Sequence, residues 1–134
     1  MIDYLNEIFN TLAQAVREAH EDIAVSGEYT RQPSRFPMVT LDETANVTAS
    51  ATIDSSDEEK YAALSYRLQV FSNKQSGKKA EARAIFASAD AVMRGMGFRR
   101  MTYSTTPEIY ESTIYSITAT YEAVVDVYGV TYKP

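Results

Sequence analysis

Residues 61–103 read YAALSYRLQVFSNKQSGKKAEARAIFASADAVMRGMGFRRMTY, and the spacing of their apolar residues changes twice. Leu64, Tyr66, Leu68 and Val70 alternate with Ser65, Arg67 and Gln69. That is the two-residue period of a strand with one buried face. After Asn73-Lys74-Gln75-Ser76-Gly77 the apolar positions become Ala82, Ile85, Phe86, Ala89, Val92, Met93 and Met96. Steps of three and four predict one face of a helix. Gly95-Met96-Gly97 stops it; Gly97 suits the left-handed position after the last turn, with Phe98 placed to touch Met93. Met101 and Tyr103 resume alternation. The unit is read as a scaffold. It is either a crossover between parallel strands or part of an antiparallel sheet, and both remain open.

Working outward, residues 2–24 predict a first helix. Ile2, Leu5, Ile8, Phe9, Leu12, Val16, Ala19 and Ile23 form one apolar stripe, with Asp3 as N-cap or first-turn acid. Ser26 to Pro37 carries loop signals: Ser26-Gly27, Gln32-Pro33-Ser34 and Phe36-Pro37. Met38–Leu41 reads as a strand, Asp42–Asn46 as a turn, and Val47–Ile53 as a second strand able to pair with the first as a hairpin. Asp54 to Lys60 is an acidic loop. Beyond Tyr103, Thr105–Glu108 reads as a turn, and Tyr115–Ala123 alternates as a last long strand. Val125–Pro134 is a tail able to extend the sheet or reach a neighbour. The expected order is α-β-β-β-α-β-β. It predicts a single α+β domain, with a mostly antiparallel sheet of four to five strands and two helices packed on one face.

The chain has 134 residues and a formal net charge of -5. That length supports a real core. The charge argues against a general binder of nucleic acid or anionic membrane, which needs a cationic surface. With no cysteine there is no disulfide framework, thiolate nucleophile or zinc-thiolate site. Asp3 and Glu7 stand where a secretory leader would be positive, and no apolar run approaches the ~18 residues of a membrane span. Cytoplasmic synthesis and assembly are expected. Ten tyrosines without tryptophan suit half-buried strands and protein interfaces equally.

Nothing in the chain announces catalysis. His20, the only histidine, has no serine, cysteine or carboxylate tied to it by spacing. Gly77-Lys78-Lys79 precedes a helix, but a phosphate loop needs an upstream glycine and a Ser or Thr after the lysine, where Ala80 stands. Asp54, Asp57, Glu58 and Glu59 lack the central glycine of a calcium loop, so a solvated loop is expected there. No cofactor or metal is expected, and the chain is read as not an enzyme. The charges instead suggest contacts between proteins. In a ring, the acidic loop of one subunit could face Lys74, Lys78, Lys79 and Arg83 of the next, a contact that salt would weaken. Arg99 and Arg100 form a small cationic patch suited to a partner's carboxylates or to passing DNA.

In this layout the chain resembles the tail-terminator (tail completion) proteins of phages with long non-contractile tails. The likeness rests on a similar length, an N-terminal helix and an extended segment ending Arg35-Phe36-Pro37-Met38-Val39. It continues through Tyr66-Arg67-Leu68-Gln69-Val70-Phe71-Ser72-Asn73, and Ala82-Arg83-Ala84-Ile85-Phe86 in a helix closing at Met96-Gly97-Phe98. It ends in a strand of the type Tyr115–Ala123. The resemblance implies a hexameric ring that caps the tail tube, halts its polymerisation and joins the head connector. Partners would be further copies, the tail-tube protein and head-tail connector proteins. DNA would pass through without sequence-specific binding, and no membrane is involved. The location implied is the tail or neck of a virion. The resemblance carries no catalytic signature, so the expected site is an interface. Its residues are Asp54, Asp57, Glu58, Glu59, Lys74, Lys78, Lys79, Arg83, Arg99, Arg100, Tyr128 and Tyr132, with the Arg31–Arg35 loop as a weaker candidate. Another neck component, or a small ligand-binding domain with a concave pocket, is the alternative.

Overall fold

A computed structural model describes residues 3–48, 61–105, 114–126 and 131–132. Helix α1 spans Leu5–Ala19 and buries Ile8, Leu12, Ala13 and Val16. It is shorter than the apolar stripe predicts. The N-cap is Tyr4, without a side-chain cap bond, so Asp3 is neither the expected N-cap nor a first-turn acid; from just outside the helix its Oδ1 accepts a hydrogen bond from the Leu5 amide at 3.1 Å. At its end the chain turns through Asp22 at φ 58, a left-handed conformation that Asp tolerates. Ile23 and Ala24 are therefore buried outside the helix, and Ala24–Ser26 forms a short strand, β1, where the sequence reads helix end and loop.

Residues 38–48 also depart from the expected layout. The expected turn at Asp42–Asn46 and the hairpin it would join are instead one strand, β2, Met38–Thr48. Its polar residues find partners on the next strand, β3, Tyr61–Ser72. Asp42 stands opposite Arg67 and Glu43 opposite Tyr66, and a bulge between Glu43 and Ala45 absorbs one residue. Residues 49–53 of the expected second strand lie outside the described residues.

Helix α2, Lys78–Gly95, starts after Gly77 at φ 89 and buries Ala82, Ile85, Phe86, Ala89, Asp90 and Met93. Its end matches the cap read from the sequence. Gly97 has φ 93, the Gly97 amide donates to Arg94 O at 3.0 Å, and the Phe98 amide donates to Met93 O at 3.1 Å. Phe98 joins Met93 in the core. Strand β4 follows at Arg99–Thr105 and β5 at Tyr115–Asp126. The tail extends the sheet, because β6, Thr131–Tyr132, pairs with Val124 and Val125 of β5.

The order α-β-β-β-α-β-β is the observed one, with β6 in addition. The sheet runs β1-β2-β3-β5-β4. β1 is parallel to β2, and every other pairing is antiparallel. Both β3 and β4 oppose β5, so they point the same way with β5 between them. The unit 61–103 is thus a crossover between strands that are parallel but not neighbours.

One sheet face carries both helices. Leu64, Tyr66, Leu68 and Val70 of β3, with Ile117, Ala119, Tyr121 and Ala123 of β5, meet Leu12, Val16, Ile85, Ala89 and Met93 in one core. The other face is partly covered by the segment from Gly27 to Pro37, which joins the parallel β1 and β2; Phe36–Pro37 is cis. A small second cluster forms there from Ala24, Met38 and Phe71 with Phe36 and Ile114.

Candidate assembly surfaces

Helix α2 separates the two basic sets read from the sequence. Lys74, Lys79 and Arg83 are exposed and Lys78 half-buried at its start, while Arg99 and Arg100 follow its end. That separation is one of sequence: Arg100 folds back along the helix to 5.9 Å from the Phe86 ring centre, and Phe86 lies one turn after Arg83. Asp54, Asp57, Glu58, Glu59 and Tyr128 lie outside the described residues. Tyr132 stands in β6 opposite Val124.

Arg99 and Arg100 are adjacent in sequence but divided by the strand, whose successive side chains point to opposite faces. Arg100 turns to the helix layer. Its Nη1 lies 3.1 Å from Asp90 Oδ1, and its guanidinium is 5.9 Å from the Phe86 ring centre and 6.0 Å from that of Tyr103. Tyr103 meets Phe86 edge-on, ring centres 5.1 Å apart. Arg99 stands opposite Glu122 on the other face. The expected patch therefore resolves into one outward arginine and one that braces β4 against α2.

Asp90 is the residue that sequence reading missed. It is 9% exposed in the apolar stripe of α2. Tyr121 Oη donates to its Oδ1 at 2.6 Å, and Arg94 Nη1 lies 3.9 Å from its Oδ2. Burial, then this bond and the carboxylate charge, push the Tyr121 hydroxyl well above its ordinary pKa. A signal was present: Asp90 sits one turn after Phe86 and three residues before Met93, and a charge on a core face requires a partner. A second buried tyrosine behaves alike. Tyr66 donates to Glu43 Oε1 at 3.3 Å, and burial and the Glu43 charge raise its pKa. Glu43 is itself raised, chiefly by burial.

On the opposite face the Gly27–Pro37 segment is fastened to β3. Gln69 Nε2 donates to Thr30 O at 3.1 Å, and Gln69 Oε1 accepts from the Thr30 amide at 3.2 Å and from Thr40 Oγ1 at 2.7 Å. Arg67 donates twice to Asp42, at 3.1 Å and 2.6 Å, and stacks 3.9 Å over the Tyr29 ring. Arg31 and Arg35, the weaker candidates, are exposed beside this anchor. The rest of the face is hydroxyl-rich: Thr102 Oγ1 and Thr120 Oγ1 are 2.7 Å apart, and Ser104 donates to Thr118 O.

His20 Nε2 lies 2.9 Å from Ser88 Oγ and ties the end of α1 to the middle of α2. A groove of about 260 Å³ runs between α1 and the end of α2, lined by Tyr4, Glu7, Ile8, Thr11, Met96, Phe98 and Val125. Among the described residues, no group of three or more His, Asp or Glu is placed to hold a metal. Nor, among them, is any helix long and apolar enough to cross a membrane.

No protein-family model matches the chain. No curated protein matches it. Among solved structures, its fold is similar to that of a chain in the virion of the native gene transfer agent (GTA) particle. The TM-score is 0.52 at 16% sequence identity, covering 89% of this chain and 91% of that one. Across nearly the full length of both, the two chains share a fold.

Proposed function

We propose that this chain is a structural protein of a virion. It closes the end of a phage-type tail tube as a ring, stops tube growth and offers the surface that the head connector joins. The observation that carries this reading is the near full-length fold likeness to a chain of a gene transfer agent virion. The order of elements and the local patterns set out above, from Arg35–Val39 to Tyr115–Ala123, support the capping role in particular. The role is not enzymatic: it asks for shape and charge complementarity around a channel, from a rigid sheet with charged residues at its margins. A net charge of -5 suits a channel that lets DNA slide without trapping it. The partners are further copies, the tube protein and the connector.

The same likeness, which is to a virion chain without a stated position, is equally compatible with a second reading, another component of the neck. Electron microscopy of particles assembled without the protein separates the two. Capping predicts tubes of uncontrolled length without heads. Tubes of normal length that fail to join heads would move the protein to the joining step. Normal tubes with heads attached would remove both.

A further inference from the structure

In the order β1-β2-β3-β5-β4, neither β4 nor most of β2 has an outer strand beside it among the described residues. All seven residues of β4 are exposed. On the other side β1 covers only Met38–Thr40 of β2, so Leu41 to Thr48 have no outer strand among the described residues. Open edges carry unpaired backbone donors and acceptors and invite another strand. These edges also hold exposed apolar side chains: Val47 at 58% on β2, and Met101 at 46% and Tyr103 at 45% on β4.

Strand direction identifies the occupant. β2 opposes β3, β3 opposes β5 and β5 opposes β4, so β4 runs opposite to β2. A second copy set beside the first, helices on the same side and turned about an axis along the strands, brings its β2 antiparallel to β4. The alternation of the sheet then continues across the junction. Antiparallel pairing sets Arg99 and Arg100 toward the uncharged Asn46–Thr48 end, and Asp42 and Glu43 toward Ser104 and Thr105, so like charges are not opposed. A two-fold pairing of β4 with β4 would use one edge and leave Val47 open. Head-to-tail pairing uses both edges in every copy, and repeated rotation closes a ring. The bulge and the two arginines of β4 guard it against indiscriminate strands.

We propose that β4 of one copy pairs, antiparallel, with residues 41–48 of β2 in the next copy, and that this junction builds the ring. The proposal rests on the capping reading and supplies its subunit contact.

The chain has no native cysteine, so thiol crosslinking is free of background. Val47→Cys and Met101→Cys place one thiol on each exposed edge. With a short thiol-to-thiol crosslinker, the double variant is expected to give a ladder of multimers. Mixing the two single variants should give dimers only, and either single variant alone should give no product. Dimers from Met101→Cys alone would show two-fold pairing of β4 and overturn the proposal. No product from the double variant would also overturn it. A ring seen by light scattering in that same sample would keep the capping role and move the contact elsewhere. Normal tubes with heads attached in particles lacking the protein would overturn the capping role whatever the crosslinks show.

Discussion

Tyr66 and Tyr121 stand directly opposite each other on β3 and β5, both at 0% exposure, yet their hydroxyls reach different carboxylates. Tyr66 bonds Glu43 on the neighbouring strand, and Tyr121 bonds Asp90 on the overlying helix. Phe98 closes on the Tyr66 ring edge-on at 5.3 Å. This pair therefore ties three parts of the fold together: the β2 edge, the helix layer and the start of β4.

Both tyrosines are neutral in the folded chain, with pKa values raised above the ordinary 10.0. The unfolded chain ionises them near that value, so above it the unfolded state loses protons that the folded state keeps. Their contribution is complete below pH 10.0 and falls as pH rises beyond it. Denaturant midpoints measured from neutral to strongly alkaline pH should drop above 10.0. The drop should be shallower in the Tyr66→Phe, Tyr121→Phe double variant. An unchanged slope would mean that these hydroxyls are not held neutral.

Asp90→Ala should destabilise the fold by roughly 2–3 kcal/mol, because it leaves a buried tyrosine hydroxyl and Arg100 without their shared acceptor. Tyr121→Phe removes only the donor and should cost about 1 kcal/mol. Urea unfolding of both variants checks the order. If Tyr121→Phe proved the costlier change, packing around the ring and not the carboxylate would dominate.

Phe86 fills the gap between α2 and β4, against Tyr103 and below Arg100. Phe86→Ala should cost about 3–5 kcal/mol, as for other buried aromatics cut to Ala. Hydrogen exchange should show the loss first in β4, which has no other large ring contact to the helix layer among the described residues.

Arg67→Lys keeps the charge but gives up the two-pronged bond to Asp42 and the stack on Tyr29. The site is partly exposed, so the stability change should be small, roughly 0.5–1 kcal/mol, and should shrink with salt. The informative readout is local: the Thr30 amide should exchange faster as the covering segment loosens. Equal protection in both proteins would assign the anchoring to Gln69 alone.

Sequence periodicity by itself determined the alternating core of β3 and β5, the buried face of α2 and its Gly97 cap. Each of these is set by neighbours within a few residues, which is the range over which spacing carries information. The same logic failed at Asp42–Asn46. Polar residues there look like a turn until Arg67 and Tyr66, more than twenty positions away, supply their partners and make them strand. It failed for Asp90 and Arg100, whose meeting depends on where β4 lies against α2. It left strand order undecided as well, because inserting β5 between β3 and β4 leaves no mark on either strand. The tertiary structure alone decided which strands have no outer neighbour among the described residues, the basis of the proposed junction: an edge is defined by the strand that is not beside it, a long-range fact that no local pattern encodes.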